Sequence, residues 1–223
     1  MNNKTKQIVG IGLFTAIVIV LQFLGGSIRF GVFSISLVLI PIVVGAAVYG
    51  WQAGAWLGCA FGIAVLLSGD AAAFMTVNAL GTVLTVLVKG TAAGLCAGLA
   101  YKFIYILLNR YAQKRMQFIK NRFGIGECCE TGVYNYISRY NRYIAVVASA
   151  VVCPIVNTGV FLLGCELFFM DTIAGWGAAA GFPNVASYMF LGLAGTNFLI
   201  ELAISIVLSS TIVRIIQIGK SGR

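Results

Sequence analysis

At 223 residues, 60% hydrophobic and 9% charged, with a mean hydropathy of +0.98, this chain lies far outside the balance of a soluble globular domain. Its net charge of +9 comes from 15 basic and 6 acidic residues, and it contains no histidine. HExxH metalloprotease chemistry, His-dependent acyl transfer and imidazole proton relays are therefore excluded. There is also no GxxxxGK[ST] loop, so ATP hydrolysis by the P-loop route would have to come from another subunit.

In chain order, apolar runs predict membrane helices at about 8–25, 35–50, 52–68, 80–107, 143–169 and 189–216. Each long run can cross a hydrocarbon core of about 30 Å. The expected fold is thus an all-α membrane protein, one domain built as a compact bundle of about six transmembrane helices. The first stretch has no clear small-residue cleavage site and reads as a retained span.

Six crossings put both termini on one side. Lys4 and Lys6 precede the first span, and Arg214, Lys220 and Arg223 follow the last. The fourth link, a basic loop at about 108–142, shares that side. With Lys102 beside it, it contributes Arg110, Lys114, Arg115, Lys120, Arg122, Arg139 and Arg142. Thirteen of the fifteen basic residues gather there, the exceptions being Arg29 and Lys89. By the positive-inside rule that face is cytoplasmic, in a multi-pass protein of the cell membrane. Orientation and attraction to anionic lipid account for the cluster, and no aromatic-rich nucleic-acid module accompanies it.

Tyr49-Gly50-Trp51-Gln52 links the second and third spans as a tight hairpin. Gly54, Gly58 and Gly62 on the third span, and Gly90, Gly94 and Gly98 on the fourth, each form a one-face stripe that lets helices approach closely. Gly12 and Ala16 make a shorter stripe suited to internal packing or to a separate membrane subunit. The segments 68–74 and 171–187, rich in glycine, read as external loops that connect spans or cover a site; Trp176, Phe182 and Tyr188 within or beside them suit ring stacking or interfacial anchoring. Six cysteines without CxxC spacing give no metal or redox motif, and Cys128-Cys129 reads as a loop dipeptide. No cofactor is expected.

Ionisable and amide groups inside the apolar runs are the strongest pointers to function, because hydrocarbon penalises them by several kcal/mol unless they meet a partner or a wet cavity. Lys89 lies inside the fourth span. Glu201 follows Asn197 by four residues, so both share a helix face. Two roles fit: Lys89 and Glu201 neutralise each other and pin two helices, or Lys89 lines an outward pocket for a polar, anionic solute. In the second case Asn78, Asn157, Thr158, Asn197, Glu201 and Arg29 join it, and the roles are compatible. Three functional classes follow: a solute-capture subunit, a self-sufficient small channel or carrier, and a membrane assembly or regulatory protein that binds no solute.

The order of several motifs carries a resemblance. Gly12-Leu13-Phe14-Thr15-Ala16 comes early, and Ser36 to Ala46 with Pro41 leads into Tyr49-Gly50-Trp51-Gln52-Ala53-Gly54-Ala55. Lys89-Gly90 with Ala93 to Tyr101, Pro154-Ile155-Val156-Asn157-Thr158-Gly159, and Asn197-Phe198-Leu199-Ile200-Glu201 follow. Across nearly its whole length the chain resembles the S components, the substrate-capture subunits of energy-coupling-factor (ECF) vitamin importers. The resemblance implies a vitamin bound near the external face, a membrane coupling subunit docking on Gly12 and Ala16, and two cytoplasmic ATPase subunits supplying energy. The pattern is similar to the group holding pantothenate, riboflavin and folate carriers, and Lys89 favours a carboxylate-bearing solute such as pantothenate. The fourth link is longer than the family leads one to expect.

Overall fold

The computed structural model describes residues 3–25, 29–30, 33–34, 37–123 and 127–221; of these, the side chains of 3, 29–30, 33–34, 123, 127–131, 196–197, 210 and 212–221 lie outside the description. Helix α1 spans Asn3–Gly25, and a two-residue antiparallel hairpin follows, β1 Arg29–Phe30 with β2 Phe33–Ser34. Next come α2 Leu39–Tyr49, α3 Trp51–Ser68 and the single turn α4 Ala72–Met75. Two very long helices, α5 Ala79–Phe123 and α6 Glu127–Phe168, precede α7 Met170–Ala179 and α8 Val185–Ser187. A π-helix over Tyr188–Gly195 leads into α9 Thr196–Ser221.

Among the described residues five helical stretches are long and apolar enough to cross a membrane: Lys4–Gly25, Trp51–Ser68, Ala79–Arg122, Gly132–Phe168 and Val185–Ser209. The sixth expected span, α2, is apolar but has only 11 residues and rises about 16 Å. It can be short because lipid does not cover it. Leu39 through Ala46 are all buried, packed between α3, α5, α6 and α9 at the centre of the bundle.

The glycine stripes form the tightest joint. A Cβ built on Gly58 would overlap the Gly90 carbonyl, and one on Gly54 the Gly94 carbonyl; the reverse overlaps hold for Gly90 and Gly94. Helices α3 and α5 thus run antiparallel with backbones in contact, trading side chains for dispersion between main chains. Around this joint the core collects Leu39, Ile42, Val43, Val44, Leu57 and Phe61, with Ala93 and Ala97 from α5 and Val146, Ala150 and Cys153 from α6. Gly50 (φ 97°) makes the α2–α3 turn, and Gly69 (φ 80°) closes α3 in the left-handed conformation that side chains resist.

Helix α5 starts at a side-chain cap. The Gly81 N–H donates to Asn78 Oδ1 at 2.9 Å, satisfying a first-turn amide that would otherwise have no partner. Asn78→Ala is expected to lower stability by about 1 kcal/mol, read as a lower melting temperature in detergent. Asn78→Ser, which retains an oxygen for the cap, should stay near wild type.

The link expected as a basic loop is helical. Beyond the bundle α5 and α6 continue as an antiparallel hairpin joined by polar side chains: Tyr105 Oη with Ser138 Oγ at 3.2 Å, Asn141 Nδ2 to Asn109 Oδ1 at 2.9 Å, and Gln113 Nε2 to Tyr134 Oη at 3.1 Å. Inside the bundle the same register gives Ser149 Oγ to the Ala97 carbonyl at 2.8 Å. The segment 171–187 is also more regular than glycine and proline suggested, since α7 holds Gly175 and Gly177 in helix, and among its described residues only Gly181 (φ 77°) is left-handed.

Candidate functional site

Four helices converge on Lys89. It lies ten residues into α5, about 15 Å along that helix from its start. Its ammonium stands 5.1 Å from the centroid of the Phe161 ring on α6 and 5.9 Å from that of Phe61 on α3. Both rings offer their electron-rich faces to the cation, an interaction that strengthens where water is excluded. The carboxylates whose fields reach it are Glu201 on α9 first and Asp70 second. Glu201 is 6% exposed and also lies within electrostatic reach of Cys153 on α6.

An aromatic wall runs outward from Lys89. The ring of Phe161 meets Phe74 of α4 edge-on at 5.7 Å, and Phe74 meets Phe169 at 5.1 Å and Trp176 of α7 at 5.4 Å. Phe182 and Tyr188 form a second edge-on pair at 5.3 Å. On the other flank Gln22 of α1, 3% exposed, donates through Nε2 to Ser68 Oγ at 3.2 Å and to Asp70 Oδ2, tying α1 to the end of α3.

Buried polar atoms without partners surround this constellation. Thr85 Oγ1 lies one turn outward of Lys89 on α5, and Asn157 Oδ1 lies one turn inward of Phe161 on α6; neither makes a hydrogen bond. Helix α9 continues inward from Glu201 with Ser205 and Ser209 at four-residue spacing, both buried, their hydroxyls likewise unpaired. Buried groups of this kind normally find partners, so these four atoms leave bonding capacity in the interior of the bundle.

Of the residues singled out in the sequence, Lys89 on α5 and Glu201 on α9 lie within electrostatic reach of each other, Asn157 is buried on α6, and Thr158 sits beside it, half-buried. Asn78 stands apart, about 16 Å outward along α5, with its oxygen committed to the helix cap. Arg29 falls in β1, and Asn197 lies in α9 one turn before Glu201; both side chains are outside the described residues. Gly12 and Ala16 are exposed on α1, and nothing comes within 4 Å of a Cβ built on Gly12. Sequence reasoning did not pick out Gln22, Asp70, Phe61, Phe74 or Phe161. A signal existed for Phe161, which shares a face with Asn157 at four-residue spacing.

A family profile described as "ECF transporter, substrate-specific component" matches residues 6–213. This chain belongs to the substrate-specific components of ECF transporters. It is therefore the substrate-binding subunit of a transporter and not an enzyme, embedded as a multi-pass helical bundle. No curated protein and no solved structure matches this S component significantly. The family match covers every helix that contributes to the Lys89 constellation, from Gln22 on α1 to Glu201 on α9.

Proposed function

We propose that this S component captures a carboxylate-bearing vitamin or vitamin-like solute at the end of the bundle opposite the basic hairpin, with Lys89 as the principal contact. The observation that carries the reading is the Lys89 ammonium over the faces of Phe61 and Phe161, about 15 Å along α5 from its start, within the field of Glu201. A cation held by rings and a single strong carboxylate retains capacity for an incoming anion. Asn157, Thr158, Asn197 and Glu201 supply polar contacts, and Asn78 and Arg29 stand toward the entrance. A pantothenate-like solute fits this set best, with riboflavin or folate as the other choices.

By the positive-inside rule the hairpin end and both termini are cytoplasmic, in the cell membrane. Uptake is then driven by two ATPase subunits through a membrane coupling subunit docked on Gly12 and Ala16. The exposed, sterically open face of α1 supports that docking.

Detergent-purified protein, titrated with radiolabelled vitamins in the absence of ATP, is expected to show saturable binding of one member of the panel. Folded, monodisperse protein that binds none of them would refute the reading and favour a purely structural membrane role.

A further inference from the structure

The long α5–α6 hairpin carries more than orientation requires. Its level against the membrane is set by contacts within the bundle. Tyr49 packs on Gly10 of α1, and Gly98 of α5 packs on Trp51. These contacts bring Lys4, Lys6 and Lys102 to one boundary. From Lys102 to the end of α5 at Phe123 the helix rises about 30 Å further, without a break.

Along that projection Phe103, Leu107, Tyr111 and Phe118 form a ridge on one face of α5, spaced four, four and seven residues apart. They are 68%, 55%, 68% and 67% exposed. Lys114 and Arg115, also exposed, lie within the same stretch. Over residues 102–142 the hairpin holds eight basic residues against two acidic ones, Glu127 and Glu130.

Lipid accounts for the foot of this ridge and not for its upper part. Phe118 stands about 24 Å above Lys102, and charges at that height lie well beyond the roughly 8 Å over which headgroup potential is felt at physiological salt. Exposed aromatic and apolar side chains interleaved with arginine have the composition of a protein-binding hot spot. A protein surface that accepts them needs an apolar depression rimmed by carboxylates, to match both the ridge and its charge.

We propose that this ridge docks an acidic, apolar-grooved face of one of the importer's ATPase subunits, giving the S component a second attachment besides the α1 face. The inference rests on the importer reading above and on its cytoplasmic assignment of the hairpin.

The test places a photo-crosslinker at the ridge, Phe118→p-benzoylphenylalanine, in the full chain co-expressed with its coupling subunit and ATPases. The expected result is a light-dependent adduct with an ATPase subunit, reduced at least tenfold by Lys114→Glu with Arg115→Glu while solute binding to the isolated S component is unchanged. An assembled, transport-competent complex that gives no adduct, or adducts only with lipid, RNA or the coupling subunit, overturns the docking proposal and leaves the importer reading standing. Failure to co-purify with the coupling subunit and ATPases at all overturns both.

Discussion

Lys89→Ala is expected to weaken solute affinity by about 100-fold or more, the larger of two effects that distinguish a binding site from a structural staple. Truncating one member of a buried charged contact typically costs 2–5 kcal/mol, and each 1.4 kcal/mol is a factor of ten. Part of that loss reflects Glu201, a buried carboxylate that loses the field of Lys89. The double variant Lys89→Met with Glu201→Gln removes this complication by neutralising both charges. If the pair only pins helices together, the double variant regains stability and binds solute as the parent does. If Lys89 holds the solute, the double variant melts near the parent temperature and still fails to bind. Isothermal titration together with a melting curve in detergent reads both quantities, and retained affinity in the double variant would remove Lys89 from the site.

Gly58→Val is expected to abolish the folded bundle. Overpacking typically costs 1–3 kcal/mol, occasionally more, and here the obstacle is the Gly90 carbonyl of the facing backbone, which cannot rotate away as a side chain can. Separating α3 from α5 to admit the new methyl groups would also open the Gly54–Gly94 contact one turn along. The total should reach about 3 kcal/mol or more, against a helix-propensity gain of well under 1 kcal/mol. Gly12→Val is the matched control, since its Cβ enters open space on α1. Fluorescence-detected gel filtration should show aggregated Gly58→Val and monodisperse Gly12→Val. A Gly58→Val protein that elutes and melts like the parent would refute the backbone-contact packing.

The bundle was legible in the sequence because hydrocarbon imposes long apolar runs, and the two glycine stripes predicted the closest helix contact through their four-residue spacing. The hairpin beyond Lys102 was not. Polar, basic sequence reads as loop when apolar periodicity is the signal, and here the seam between α5 and α6 is written in Tyr105, Asn109, Gln113, Ser138 and Asn141 instead of leucines. Among the described residues of that seam, only Ala112 and Met116 are fully buried apolar side chains.

The candidate site was half legible. Lys89 and Glu201 stand out because charge in an apolar run is rare. Phe61 and Phe161 do not, since one more phenylalanine in a membrane helix carries no distinguishing mark until coordinates place it over an ammonium. Gln22 and Asp70 meet across 48 positions of sequence, a pairing that no local pattern records.

The brevity of α2 bears on how cargo could leave. It shares the Gly50 turn with α3, and Leu39 at its far end lies ten residues from Tyr49 as Phe61 lies ten from Trp51, so both reach about the same height. Its summit is therefore about level with the lysine, and the eight enclosed residues Leu39 to Ala46 form an apolar segment about 12 Å long from there toward the Gly50 turn. On the importer reading, a solute held at Lys89 would still have this apolar segment between it and the Gly50 turn. Delivery then requires α2 to be displaced or the subunit to shift as a body.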